Sequence, residues 1–134
     1  MNDLVSVYIL NHNYSAYLDE CIGSLVGQSY KNIEIIIIDD NSEDGSKRII
    51  SKWKKKYEFI ITHFNKKSLG LIKSANEALN ISSGKFIMRL DADDYLEKTA
   101  IENLLKDFGK SYKKDKKTVG VFGNYNEIDI DSNL

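Results

Sequence analysis

The sequence has little cysteine and little net charge, and each shortage excludes a class of protein. Its one cysteine, Cys21, cannot form an internal disulfide or a cysteine-rich metal cluster. We expect Cys21 to serve as a small apolar side chain on a helix face. Lysine and arginine number 19 against 20 aspartate and glutamate residues. This balance argues against a dedicated nucleic-acid-binding protein, which needs a strong positive field.

Long apolar runs are also missing. The run from Ile33 to Ile38 is far too short to span a bilayer, and no basic stretch at the N-terminus leads into an apolar signal core. With 134 residues, of which 42% are hydrophobic, the chain fits a single globular domain over residues 1–134. We therefore expect a cytoplasmic protein.

Charged residues are unevenly spread along the chain. Lysines crowd residues 52–56, 66–67 and 106–117, whereas acidic residues cluster at 39–44 and 91–97. Lysine runs of this kind are typical of a solvated helix face or loop. The alternative interpretation is a peripheral contact with an anionic membrane, at its inner face in the cell.

Strands and helices are predicted to alternate from one end of the sequence to the other. Short apolar runs rich in β-branched residues indicate strands at 4–10, 33–38, 59–64, 85–90 and 118–122. Apolar residues at three- and four-residue spacing indicate helices around 17–25, 49–57, 71–79 and 101–108. Ser15 is expected to cap the first helix.

This alternation predicts an α/β fold, a Rossmann-like three-layer sandwich with a mainly parallel sheet. Right-handed crossovers place helices on both faces of such a sheet. Ligands then bind beyond the carboxyl ends of the strands, where the strand order reverses. Polar residues in this sequence are concentrated at those strand ends.

Two of the polar clusters are acidic. Asp39 and Asp40 directly follow the second strand, and they need water, hydrogen bonds or a cation, because an unpaired carboxylate in an apolar setting is costly. Turn formation and helix capping explain this pair as well as a ligand site does.

The acidic cluster after the fourth strand points to a metal ion. Asp91, Asp93 and Asp94 place three carboxylates within four residues, so their mutual repulsion has to be offset. A divalent cation does this, and oxygen-only ligands indicate Mg²⁺ or Mn²⁺. These ions usually complete their shells with phosphate oxygens, which implies a diphosphate ligand.

Several segments together resemble family-2 glycosyltransferases in order and spacing. In the first half of the chain they are Asn11-His12-Asn13, Gln28-Ser29-Tyr30 and Asp39-Asp40-Asn41-Ser42. In the second half they are Gly70-Leu71 with Lys73, Gly84-Lys85-Phe86-Ile87 and Leu90-Asp91-Ala92-Asp93-Asp94. The resemblance covers roughly residues 4–108, and the combination is far more specific than any single motif.

The resemblance implies a fold of the GT-A type and an inverting transfer of sugar from a nucleotide-diphosphate donor, with a UDP-sugar favoured. The acceptor would be a glycan or a lipid-linked acceptor in glycan or cell-envelope polysaccharide synthesis. By the same analogy, the nucleoside is held by Asn11, His12, Asn13, Asp39 and Asp40. Asp93 is the direct ligand of Mn²⁺ or Mg²⁺, and Asp91, in the same metal site, faces the ribose or a bound water. Lys73, near the start of the third helix, either reaches a phosphate or is a solvated helix lysine.

The sequence departs from the family in two respects. It has no proline, so Leu10 stands where the family commonly has proline, and Ala75 stands where an arginine is frequent. The family's general base also comes from a segment well after the fifth strand. We therefore expect the N-terminal part of such an enzyme, truncated after the fifth strand, without its acceptor-binding part and inactive alone. Glu127 and Asp129 are the remaining acids that could act as a base.

Three other functions are alternatives to this one. A receiver domain also alternates strands and helices and binds Mg²⁺, but its paired acids follow the first strand, where this chain has Asn11-His12-Asn13. A dehalogenase-type phosphatase has its Asp-x-Asp near the start of the domain and continues with Thr or Val, whereas Tyr95 stands here. A non-catalytic nucleotide-binding fragment is the third alternative.

Overall fold

The computed structural model describes residues 2–128 and has the predicted α/β architecture. Four strands alternate with four helices in the order β1 (Val5–Asn11), α1 (Ser15–Val26), β2 (Ile33–Asp39), α2 (Ser46–Lys56), β3 (Ile60–Phe64), α3 (Leu71–Ile81), β4 (Phe86–Asp91) and α4 (Ala100–Lys114). In this part of the chain, none of the helices is both long enough and apolar enough to cross a membrane.

The four strands form one parallel sheet in the order β3-β2-β1-β4. The chain moves from β1 outward to β3 and then returns to the other side of β1. Because parallel crossovers are right-handed, α1 and α2 lie on one face and the returning α3 lies on the opposite face. Receiver domains have the order 2-1-3-4-5, with β1 beside β3. The observed order excludes that alternative.

The larger hydrophobic core lies between the sheet and α1, α2 and α4. Val7 and Ile9 of β1 pack there with Leu18 and Ile22 of α1 and with Ile50 of α2. A smaller cluster under α3 contains Ile36, Ile38 and Ala78. Strand β2 is buried along its whole length, which explains its nearly continuous apolar sequence. The three-layer prediction is therefore confirmed.

The role predicted for Cys21 is also confirmed. Its side chain is buried in the larger core cluster, where it contacts other apolar residues of α1 and the sheet. Burial, together with the nearby carboxylates of Asp94, Asp93 and Asp91, raises the pKa of the Cys21 thiol to about 12. A thiol held neutral in this way is not a nucleophile at ordinary pH.

Two predictions about local structure are wrong. Residues 118–122 do not form a fifth strand, and Val119 and Phe122 are 97% and 95% exposed. An apolar run becomes a strand only when its backbone groups pair with a neighbour, and the described sheet ends at β4. Ser15 does not cap α1 either, because it is the first helical residue and its N–H donates to the carboxylate of Asp44 at 2.9 Å.

A buried glutamate fastens the amino-terminal edge of the sheet. The Ser6 hydroxyl donates to Oε1 of Glu34 at 2.5 Å, and the Ser83 N–H and hydroxyl donate to its two oxygens at 2.7 and 2.8 Å. Burial by itself would raise the pKa of Glu34, but these hydrogen bonds outweigh burial and lower it. The network joins β1, β2 and the loop that enters β4.

Gly84 belongs to this network and has no room for a side chain. Its N–H donates to the Ser6 hydroxyl at 2.8 Å. A Cβ atom at this position would lie 2.6 Å from the backbone nitrogen of Ser6 and 2.9 Å from the carbonyl oxygen of Leu4. Backbone atoms of a paired strand cannot move aside cheaply, so only glycine fits here.

We expect Gly84→Ala to lower the free energy of unfolding by about 1–3 kcal/mol, because overpacking shifts β1 or the loop before β4. Gly120→Ala is the matched control, since a Cβ there meets nothing within 4 Å. Urea denaturation followed by circular dichroism measures both variants. Equal stability of the two would show that the loop relaxes without disturbing the sheet.

Candidate functional site

The three polar clusters predicted from the sequence lie together at the carboxyl edge of the sheet. Strand β1 is central, with Asn11 paired with Asp39 of β2 and Leu10 paired with Asp91 of β4. The strand order reverses between β1 and β4, so this edge is the topological switch point of the sheet. The fold thus places these clusters where such sheets bind ligands.

Asn11 and Asp39 form a buried pair beneath this edge. The Asn11 amide nitrogen donates to Oδ2 of Asp39 at 2.8 Å and to the Ser42 hydroxyl at 3.0 Å. The Ser42 N–H donates to the other oxygen of Asp39 at 3.0 Å. The amide oxygen of Asn11 is buried and accepts no hydrogen bond within residues 2–128. It is therefore an acceptor that a ligand N–H could satisfy.

The turn after β1 is held in one conformation by the turn after β2. Asn13 has a φ of 64°, which asparagine tolerates better than most residues, and its N–H donates to the Ser42 hydroxyl at 2.9 Å. Nδ1 of His12 lies 2.8 Å from the carbonyl oxygen of Asp40. This contact fixes the His12 ring while leaving it exposed at the edge of the sheet.

Asp40 anchors the loop that leads into α3. Its Oδ1 accepts the Asn65 side-chain amide and the Leu69 N–H, each at 2.7 Å. Its Oδ2 accepts the Ser68 hydroxyl at 2.7 Å and the Gly70 N–H at 2.9 Å. Burial alone would raise the pKa of Asp40, but these four hydrogen bonds hold it well below its usual range.

Asp40 therefore holds residues 65–70 in place, and neither of its carboxylate oxygens is left without a hydrogen bond. Four donors occupy the lone-pair directions of its carboxylate. Gly70, with a φ of 82°, then starts α3. Lys73 lies in the first turn of α3 and is exposed, so it belongs to the same edge of the sheet.

The acids after β4 are arranged differently, because all three are exposed. Nε and Nη2 of Arg89 both contact Oδ1 of Asp91, at 2.7 and 2.6 Å. The Asp94 N–H donates to the Asp91 carbonyl oxygen at 3.0 Å, which closes a tight turn around Asp93. Partial burial and the charges of Asp93 and Asp91 raise the pKa of Asp94. Arg89 compensates only Asp91, and within residues 2–128 neither Asp93 nor Asp94 makes an ion pair, so the segment keeps a net negative charge.

The donor set of this segment fits a hard divalent cation that is shared with a ligand. Within residues 2–128, no three His, Cys, Asp or Glu side chains are grouped so that they alone could hold a metal ion. Mg²⁺ is commonly held by one or two carboxylates and by substrate phosphates rather than by an all-protein cage. Asp91 and Asp93 would therefore hold such an ion together with a phosphorylated ligand.

Four residues position the site through hydrogen bonds that could not be predicted from the sequence, and of these only Ser42 belongs to a predicted cluster, Asp39-Asp40-Asn41-Ser42. Ser42 joins the two turns, Asn65 and Ser68 hold the carboxylate of Asp40, and Arg89 holds that of Asp91. Asn65 was detectable as a polar residue directly after a strand, and Arg89 as a cation two residues before Asp91 on the same strand face. For Ser68 the sequence offers no comparable signal. Asp129 lies outside the described residues, and Glu127 lies in the exposed segment after α4.

We expect Asp40→Ala to lower the free energy of unfolding by about 1.5–3 kcal/mol, because it removes a buried carboxylate that accepts four hydrogen bonds, one of them from the buried side chain of Asn65. The native pKa of Asp40 is lowered, so its contribution to stability is complete above the unfolded pKa of about 3.9 and is lost as the pH falls below it. The variant should therefore show a weaker loss of stability between pH 5 and pH 2, measured by denaturant unfolding at each pH.

Asp93→Ala is the matched control for that measurement, because Asp93 is exposed and no hydrogen bond restrains its side chain in the described part of the chain. If both variants unfolded at the same denaturant concentration, the anchoring role of Asp40 would be refuted. Hydrogen exchange at residues 65–70 gives a second readout, since these amides should exchange faster in Asp40→Ala alone.

Comparison with known proteins agrees with this geometry. The family model described as glycosyl transferase family 2 matches residues 6–126. An uncharacterised glycosyltransferase of Haemophilus influenzae is 37% identical over 131 residues, which are 96% of this chain and 38% of that protein. The cholesterol galactosyltransferase of Borreliella burgdorferi is 41% identical over 100 residues, 75% of this chain and 28% of that protein.

A solved structure has the same fold. The chain superposes on residues 1–349 of TarS from S. aureus, in complex with UDP-GlcNAc, with a TM-score of 0.73 and 26% identity, covering 81% of this chain and 32% of that one. The chain thus spans well under two thirds of the length of each of these relatives. The matched family, the GT-A-like sheet and the strand-end clusters lead to one conclusion, that this chain belongs to glycosyl transferase family 2.

Proposed function

We propose that this chain binds a nucleotide-diphosphate sugar together with a divalent cation, as the donor-binding part of an inverting glycosyltransferase. The observation that carries the proposal is the position of the turn after β1, which lies between the acid pair after β2 and the acidic segment after β4. A nucleoside on one side and a diphosphate on the other would span the switch point of the sheet.

The nucleoside half of the site would be formed by the two interlocked turns. The buried amide oxygen of Asn11 is available to a base or ribose donor, and the exposed His12 ring offers a face for stacking. Asn13, Asp39 and Asp40 would shape this pocket through the hydrogen bonds that they already make. The solved complex of TarS with UDP-GlcNAc supports a uridine nucleotide.

The diphosphate half would be formed by Asp91, Asp93 and Lys73. Arg89 contacts Asp91 through Oδ1, so the carboxylate is oriented by the protein before any ligand arrives. Mn²⁺ or Mg²⁺, when bound, supplies positive charge at the leaving diphosphate. Lys73 adds a mobile positive charge from the first turn of α3.

The acceptor side of the reaction is part of the same proposal. A glycan or a lipid-linked acceptor fits a role in glycan or cell-envelope polysaccharide synthesis on the cytoplasmic side of a membrane. The similarity to a cholesterol galactosyltransferase shows that at least one relative is named for a lipid acceptor. The alternative is a nucleotide-binding chain without catalysis, and it differs from the proposal only in product formation.

We expect Mn²⁺ or Mg²⁺ to strengthen the binding of UDP, and Asp93→Ala to lose most of that gain. The reason is that Asp91 and Asp93 would hold the cation, which would supply positive charge to the diphosphate. Isothermal titration of UDP with and without metal measures the effect. Glu97→Ala is the matched control, because it removes another exposed carboxylate from the same loop.

Metal-independent UDP affinity in the parent chain and in both variants would refute the metal assignment. If Glu97→Ala lost the metal effect as fully as Asp93→Ala, the effect would come from the general negative charge of the loop and not from a metal site at Asp93. Absence of UDP binding under every condition, with the fold intact by circular dichroism, would refute the nucleotide proposal as a whole.

We also expect the 134-residue chain by itself to bind the donor but to form glycosylated product slowly. A positioned general base contributes a factor of about 10² to 10⁴, and in this proposal the carboxylates of Asp91 and Asp93 serve the cation rather than that role. Nucleotide release and product formation are measured separately with Mn²⁺, nucleotide sugars and candidate acceptors. Rapid acceptor-dependent transfer would contradict this expectation.

A further inference from the structure

We propose that the C-terminal half of α4, together with the loop before β2, forms a surface that docks on an anionic lipid bilayer. Six lysines form this surface, which we name the basic face: Lys31, Lys110, Lys113, Lys114, Lys116 and Lys117. The inference is independent of the nucleotide proposal, because none of these residues belongs to the site at the carboxyl edge.

The lysines of the basic face are largely uncompensated. Within residues 2–128, Lys31, Lys113, Lys114 and Lys117 make no ion pair, and Lys110 contacts Asp107 at 3.3 Å on the exposed surface. The N–H of Lys117 donates to the carboxylate of Asp115, the one acid in the run from residue 110 to 117. A positive field therefore extends outward from this end of α4.

A groove between the two elements gives the basic face a place for a phosphate headgroup. It has a volume of about 640 Å³ and is lined by Lys31, Lys110 and Lys113 with the polar residues Asn2 and Asn32. Gly109 also lines this groove. The acid at this groove, Glu102, is already engaged by Lys106 at 2.7 Å and by the Ser29 hydroxyl at 2.8 Å.

Tyr112 lies next to Lys113 on α4, on the side of the helix that packs toward β4, and is an aromatic residue suited to a membrane interface. It stacks on Phe108 with ring centroids 5.7 Å apart, and Nζ of Lys116 lies over the Tyr112 ring, 4.4 Å from its centroid. The ring is 41% exposed. An amphipathic ring flanked by lysines is typical of residues that sit at the headgroup level of a bilayer.

A bilayer fits this surface better than a nucleic acid does. The basic face is short and is joined to a chain whose net charge is −1, so a long polyanion that reached past it would meet the acids elsewhere on the protein. A membrane needs only a local contact. Each lysine near an anionic surface strengthens binding by roughly fivefold, so four of them together contribute a factor of several hundred.

The basic face lies near the amino-terminal edge of the sheet, whereas the nucleotide site lies at the carboxyl edge. Helix α4 begins after the Asp91 segment and runs for 15 residues back toward the amino-terminal edge. At a rise of 1.5 Å per residue, its ends lie about 22 Å apart. A chain docked through the basic face would therefore keep its carboxyl edge accessible to solvent.

The test is co-sedimentation of the full chain with vesicles of phosphatidylcholine containing about one third phosphatidylglycerol, compared with pure phosphatidylcholine vesicles, in 0.1 M salt where screening leaves surface charges effective. The test variant combines Lys113→Gln, Lys114→Gln, Lys116→Gln and Lys117→Gln. The matched control removes the same charge from α2 with Lys47→Gln, Lys54→Gln, Lys55→Gln and Lys56→Gln.

We expect the parent chain to bind the anionic vesicles and not the neutral ones, the α4 variant to lose roughly a hundredfold or more in affinity, and the α2 variant to lose less than about threefold. UDP binding should be the same in all three, which separates this result from any failure of the nucleotide proposal. Equal binding to neutral vesicles, or an equal loss in the α2 variant, would overturn the proposal. Equally tight binding to double-stranded DNA would also overturn it, by showing a general polyanion surface.

Discussion

The structure depends on one constraint, the need to satisfy two carboxylates at the end of a completely buried strand, Asp39 as its last residue and Asp40 directly after it. Asp39 and Asp40 cannot be left without partners where β2 leaves the core. Their hydrogen bonds draw in the turn after β1 and the loop before α3. Satisfying these charges therefore builds the carboxyl edge of the sheet, and the rest of the candidate site follows from that arrangement.

The two acidic clusters have different tasks because their surroundings differ. The pair after β2 is buried and saturated with donors, so it gives rigidity. The cluster after β4 lies on the surface at the edge of the sheet, where three carboxylates repel one another and Arg89 contacts only one of them. Unsatisfied charge at a switch point is suited to a cation and a phosphorylated ligand, whereas satisfied charge is suited to preorganising the pocket around them.

The relatives establish the family of this chain, and the geometry of the site indicates what individual residues do within it. Family membership rests on residues 6–126, nearly the whole described chain. The contacts of Asn11, Asp40 and Arg89 come from the structure alone and assign positioning roles within that family framework. The identities of the sugar, the acceptor and the catalytic base are properties of whole enzymes. This chain spans only 38% and 28% of the two relatives compared, so those identities do not follow from family membership.

Much of the fold and the location of the site could be predicted from the sequence. Hydrophobic periodicity located the four described strands and the first three helices to within about three residues, because it reflects which side chains each element must bury. It placed the end of α4 at residue 108, whereas the helix continues to Lys114 along an exposed lysine-rich stretch. The strand-end clusters at Asn11, Asp39 and Asp91 were predicted to lie at one edge, and they do. Parallel strands joined by right-handed crossovers leave no other arrangement.

The sequence by itself determined the alternating elements, the buried β2 and the polar residues that meet at the carboxyl edge. Only the tertiary structure decided that residues 118–122 pair with no strand, that Asp44 rather than Ser15 meets the start of α1, and that Asp40 is saturated by residues 65–70. The physical reason is the separation along the chain of the groups that interact. Periodicity and turn chemistry act between neighbours in the chain, whereas strand pairing and carboxylate satisfaction depend on groups that folding alone brings together.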